Sequence, residues 1–252
     1  MIKAVFFDMG GTLEDLYSDE KNDKSTAREL MRILNSHGIT TPFGDDADGL
    51  WQTVKKPLMA YKKESEKTFI ELKPEVLWPD YAFKDVPVDR EKLIACSEEI
   101  AAMWEVTYYD RKLRPHVKEM LQGLKEDLGL YLGVISNTAS LYCVYDVLKE
   151  YGIREYMDGI NLSCITGYRK PSLALFRIAL ENANLKAEEC AFVGDTLSRD
   201  VVGPRAAGFG EVFKINSFLT KQKDIGHFDV APDHEVEDIY EVYTILKKEL
   251  GK

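Results

Sequence analysis

The sequence predicts an α/β fold, a doubly wound parallel sheet with a helical domain inserted after its first strand. Three observations carry this. The apolar run Ala4 to Phe7 ends in Asp8 and the pair Gly10-Gly11. A short run without alternation suits a central strand covered on both faces. From Pro115 onward, short apolar runs alternate with amphipathic stretches of helical length, as in βα units. Between these regions, residues 16–111 contain no convincing strand pattern. The expected organisation is a core of 1–15 and 112–252 and a helical domain of 16–111, with hinges near Leu13–Tyr17 and Asp110–Arg114.

In chain order, Ala4–Phe7 is the first strand. Ser25–His37 places Leu30, Ile33 and Leu34 on one helical face, and Gly38 stands where a helix stops. Arg90–Trp104 repeats the pattern with Leu93, Ile94, Ile100, Ala101 and Trp104. Trp51, Trp78 and Trp104 are expected in the core of this domain, and the lysine-rich stretch Lys55–Lys67 is expected as a solvated helix face. Pro115 suits the first turn of a helix whose Met120, Leu121 and Leu124 face inward. Tyr131–Ile135 is a strand, Leu141–Tyr151 a helix, and Pro171–Asn184 a helix with Leu173, Leu175, Phe176 and Ile178 inside. Ala191–Val193 and Glu211–Ile215 are strands, and Val236–Leu250 is a closing amphipathic helix.

Composition narrows the partners. Among 252 residues, 43 are acidic and 33 basic, a formal net charge of -10. That acidity argues against a nucleic-acid backbone or an anionic membrane surface as the main partner. The first apolar run is too short for a signal peptide, and no run reaches the length of a membrane span. The four cysteines, Cys96, Cys143, Cys164 and Cys190, form no C-x-x-C. His37, His116, His227 and His234 show no ligand-like pairing. A disulfide framework and a zinc site are therefore not expected, and the reading is a reduced, cytoplasmic protein.

In an open parallel sheet, ligands bind beyond the carboxyl ends of the strands. Asp8-Met9-Gly10-Gly11-Thr12-Leu13 follows the first strand, and Ser136-Asn137-Thr138 follows Tyr131–Ile135. Gly194-Asp195 follows Ala191–Val193, with Asp200 five residues on, and Arg169-Lys170-Pro171 opens a helix. Taken singly, each is an ordinary turn or cap residue. Together, three carboxylates at one edge repel one another unless a cation is present, and hard oxygen donors with an open face suit Mg²⁺. A lysine, a hydroxyl and the N–H groups of a glycine-rich turn suit a phosphoryl group, and one carboxylate can act as nucleophile.

This ordered set, D-x-x-G-T-L, S-N-T, K-P and G-D-x-x-x-x-D, resembles the haloacid dehalogenase-like hydrolase superfamily. The resemblance covers residues 1–15 and about 112–252, and the helical insertion at 16–111 sits where that family carries a helical cap. It implies a Mg²⁺-dependent phosphatase acting on a small phosphorylated metabolite, with cap opening admitting the substrate. Asp8 is then the nucleophile that forms an aspartyl-phosphate, assisted by Lys170. Gly11, Thr12, Ser136, Asn137 and Lys170 form the phosphate-binding set. Asp8, the main-chain carbonyl of Gly10, Asp195 and Asp200 form the metal site.

One position departs from the family pattern. Phosphatases of the family carry an aspartate two residues after the nucleophile, where it serves as general acid and base; here that residue is Gly10. Such help is typically worth about 10²–10⁴-fold in rate. Glu14, Asp15 and the lysines 55, 56, 62 and 63 are alternative proton donors. Gly10 also keeps two other readings open. One is a dehalogenase- or phosphonatase-like hydrolase with the same nucleophile. The other is a catalytically weak protein that binds a phosphorylated ligand or a partner.

Overall fold

The computed structural model describes residues 1–217, 224 and 229–251; His227 lies outside the described residues. The strands are β1 (Ala4–Phe7), β2 (Glu14–Tyr17), β3 (Asp110–Leu113), β4 (Tyr131–Ser136), β5 (Gly159–Leu162), β6 (Cys190–Gly194), β7 (Glu211–Ile215) and β8 (His234–Val236). Six of them form a parallel sheet in the order β5-β4-β1-β6-β7-β8. β1 lies between β4 and β6, with Phe7 opposite both Val134 and Val193. The continuous apolar run is explained by this position, since all four β1 residues are buried.

The chain divides into two compact units, residues 1–16, 111–137 and 145–252 in one and residues 17–110 and 138–144 in the other. In the first, Phe6, Phe176, Phe192 and Phe209 meet edge to face around β1 and β6. Each such buried ring contributes about 1.5–3 kcal/mol, with a further gain from the T-shaped geometry. The second unit is helical, with Leu30, Ile33, Leu34, Trp51, Trp78 and Trp104 in its core. All four cysteines are buried thiols outside any disulfide. Among the described residues, no helix is long and apolar enough to cross a membrane.

Several elements differ from the sequence reading. The segments expected as hinges form a two-stranded sheet of β2 and β3. The helix expected over Arg90–Trp104 is two helices, Arg90–Ala95 and Ser97–Thr107, divided at Cys96. The strand β5 escaped notice because it is four residues long and carries the polar Asn161. The closing helix runs over Tyr240–Glu249, and Val236 belongs instead to β8. Asp233 pins that strand: its N–H donates to Val212 O and its carboxylate accepts from Val212 N, both at 2.8 Å. The lysine-rich stretch is not a uniform solvated face. Lys55 pairs with Asp23 at 2.7 Å, and Lys62 donates to the Tyr109 hydroxyl and sits 4.7 Å over the Trp104 ring.

Candidate active site

The carboxyl ends of β1, β4 and β6 bring the motif residues together. Asp8 continues β1, and its N–H donates to Val193 O at 2.9 Å. Its Oδ1 accepts from the Met9 N–H at 2.7 Å. The chain then turns within itself: Thr12 N and Leu13 N donate to Met9 O, and Gly11 N donates to Glu14 O. The Gly11 and Thr12 amides, expected to face a phosphoryl group, are used inside this turn. The Thr12 hydroxyl oxygen is buried and has no hydrogen-bond partner.

Gly11 has φ +86, and a Cβ there would lie 2.4 Å from Asp195 Oδ2. Only glycine permits both that conformation and that approach. At Gly10 a Cβ would meet the Leu16 side-chain tip at 2.5 Å. The space beside Gly10 is thus filled by leucine.

Lys170 is at the centre of the charge pattern. Its side chain is fully buried, and Nζ is 2.8 Å from Asp8 Oδ1 and 2.8 Å from Asp200 Oδ1. Asn137 fixes the lysine main chain, accepting from Lys170 N at 2.8 Å and donating to Lys170 O at 3.3 Å. Its amide therefore positions the lysine, a different task from the expected contact with phosphate. Ser136 ends β4 and is buried.

One carboxylate oxygen from each of Asp8, Asp195 and Asp200 lies within 4.8 Å of the others. The Thr196 hydroxyl stands between two of them, 3.0 Å from Asp195 Oδ1 and 2.7 Å from Asp200 Oδ2. Thr196 and two further contributors escaped the sequence reading. Arg199 donates to Thr196 Oγ1 at 2.7 Å and lies 3.8 Å from Asp195 Oδ1. Ser217 donates to Asp195 Oδ2. Arg199 occupies a variable position inside the G-D-x-x-x-x-D spacing, and Ser217 lies beyond β7, so neither had a local signal.

Burial disfavours both buried acids, but with opposite net results. Lys170 and Arg199 outweigh burial at Asp200 and hold it below the usual carboxylate range. Asp195 has weaker help; burial, then the charges of Asp200 and Asp8, push it up to about 6. At Asp195 the charge of Arg199 is thus outweighed by burial and by the two neighbouring carboxylates. Three converging oxygen donors and a charge deficit fit Mg²⁺, which Asp8, Asp195 and Asp200 would hold.

The alternative acids near the first turn are already engaged. Glu14 is buried; its carboxylate accepts from Arg111 Nε at 3.0 Å and Tyr151 OH at 2.8 Å. Asp15 accepts from Arg114 Nε at 2.8 Å. Both are held by arginines of the returning segment and are poorly placed to donate a proton. His116 is exposed and pairs with Asp238 at 2.6 Å.

A family model described as haloacid dehalogenase-like hydrolase matches residues 2–208. The chain is 25% identical over 253 residues to a glyceraldehyde 3-phosphate phosphatase from Methanopyrus kandleri, covering 100% of each. It is 25% identical to the enzyme of the same name from Methanocaldococcus jannaschii, covering 98% of each. Among solved structures, a 2-haloacid dehalogenase from Pseudomonas syringae superposes with a TM-score of 0.67 at 21% identity, covering 99% of this chain and 100% of that one. At that identity the likeness concerns the fold.

Proposed function

The chain belongs to the haloacid dehalogenase-like hydrolases, and from that premise we propose that it is a Mg²⁺-dependent phosphatase of small phosphorylated metabolites. Asp8 is the nucleophile. The observation that carries this reading is the placement of Asp8 at the end of the central strand, 2.8 Å from Lys170 Nζ and grouped with Asp195 and Asp200. The phosphatase names of the two relatives support it and place glyceraldehyde 3-phosphate on the panel of test substrates.

In this mechanism an Asp8 carboxylate oxygen attacks phosphorus, and the bond from phosphorus to the leaving oxygen breaks. Water then cleaves the acyl phosphate, releasing inorganic phosphate and restoring the carboxylate. Lys170 offsets the charge of Asp8 and of the phosphoryl oxygens. Ser136 and the Thr12 hydroxyl are the neutral groups available to those oxygens. Mg²⁺, when bound, supplies charge stabilisation and in-line orientation. Asn137 keeps Lys170 in place.

Gly10 shapes the substrate class. With no side chain at that position and Leu16 filling the space, the leaving group receives no proton from this loop. Substrates with good leaving groups, such as acyl phosphates, are therefore favoured over simple sugar phosphates. The same feature favours a second reading, displacement of halide from carbon by Asp8, because halide departs without a proton.

The test is inorganic phosphate release across phosphomonoesters and acyl phosphates, with and without Mg²⁺, with Asp8→Asn as the blank. Metal-dependent release that vanishes in the variant supports the phosphatase. Halide release without phosphate release moves the assignment to the second reading.

A further inference from the structure

A second group of metal-ligating side chains lies at the far edge of the same sheet. Glu211 opens β7, His234 opens β8, and Glu249 closes the helix Tyr240–Glu249. The strands are parallel, so the Glu211 and His234 ends lie opposite the strand ends that carry Asp8 and Asp195. One donor atom from each of the three residues lies within 4.8 Å of the other two. His234 Nε2 is 3.7 Å from Glu211 Oε2 and 3.7 Å from Glu249 Oε1.

Two features distinguish this triad from a chance surface cluster. Glu211 Oε2 is buried and has no hydrogen-bond partner, a costly state for any polar atom and more so for a charged one. The imidazole plane is fixed by stacking on Phe213, with ring centroids 4.5 Å apart and planes at 25°.

We propose that Glu211, His234 and Glu249 form a second metal site, taking a borderline divalent ion of the Zn²⁺ class. One imidazole nitrogen with two carboxylate oxygens is a donor set for Zn²⁺, whereas Mg²⁺ takes oxygen ligands and keeps much of its water. Donors around tetrahedral Zn²⁺ at ordinary bond lengths stand roughly 3.3 Å apart. The observed 3.7 Å separations need only a small contraction. The ion would tie the last helix to the two outer strands, a structural task independent of the proposed hydrolysis.

The experiment is calorimetric titration of the full chain with Zn²⁺ in saturating Mg²⁺, in an Asp195→Asn background that disables the other carboxylate cluster. The expected result is uptake of one equivalent, with a higher melting temperature. His234→Gln and Glu249→Gln, both near the surface, should each weaken that uptake at least tenfold while the chain stays folded by circular dichroism. The unsubstituted chain in saturating Mg²⁺ provides the same comparison should Asp195→Asn fail to fold. No uptake, or uptake that either substitution weakens by less than tenfold, overturns the second site. Neither result depends on phosphate release, so failure here is distinguishable from failure of the phosphatase reading.

Discussion

The side-chain amide of Asn137 brackets the main chain of Lys170, accepting from its N–H at 2.8 Å and donating to its carbonyl at 3.3 Å. The end of β4 thereby sets the position of a lysine supplied by a separate loop. Asn137→Ala should lower kcat by more than it changes KM, because the substrate loses no direct partner. It should also cost about 1–3 kcal/mol of stability from the two lost bonds and the groups left unpaired. Steady-state kinetics and urea unfolding check both effects.

Lys170 is the buried cation shared by Asp8 and Asp200. Lys170→Met leaves both carboxylates without it, and breaking a buried pair in this way costs about 3–5 kcal/mol. Asp200 lies below its ordinary value, and Lys170 is the largest favourable cause. A depressed carboxyl contributes stability above its unfolded pKa and loses it as pH falls through the folded value. The deficit of Lys170→Met should therefore be full at neutral pH and shrink in acid. Melts of both proteins across pH test this.

Asp195 behaves in the opposite sense. Its carboxyl is pushed up to about 6 in the ion-free chain, first by burial and then by Asp200 and Asp8. The folded state then holds a proton that the unfolded state has lost, so this group's contribution falls as pH rises from about 4 to about 6. Mg²⁺ must displace that proton. Its affinity should rise with pH up to about 6 and then flatten, as calorimetric titration at several pH values would show. Asp195→Asn should remove the dependence together with most of the affinity.

Gly10 and Leu16 offer a gain-of-function test. A Cβ at residue 10 would meet the Leu16 tip at 2.5 Å. Gly10→Asp combined with Leu16→Ala makes room for a proton donor and should raise turnover of poor leaving groups by about 10²–10⁴-fold. Acyl phosphates, which need no acid, should gain little. Rates on a matched ester and acyl phosphate read the contrast.

The legible parts of the molecule were those with a strong local pattern. Ala4–Phe7 reads as a central strand because burial on both faces removes the alternation that marks a half-exposed strand. Asp8, Lys170, Asp195 and Asp200 were legible because order and spacing along the chain stand in for their convergence in space. Thr196, Arg199 and Ser217 were not, since their roles come from hydrogen bonds to residues already in place. The inward turn of the Gly11 amide was hidden for a related reason. Residue type shows that a tight turn is possible but not which carbonyl its N–H will meet, here Glu14. The strands β5 and β8, of four and three residues, are too short for a period to declare itself.

The central claim is a phosphoryl group carried by Asp8. The most direct measurement is rapid acid quench of the Mg²⁺-loaded protein during turnover, followed by peptide mass analysis. One phosphoryl group on the peptide containing Asp8, labile to hydroxylamine and absent from Asp8→Asn, is the predicted result. Phosphate release at an undiminished rate by Asp8→Asn would contradict it.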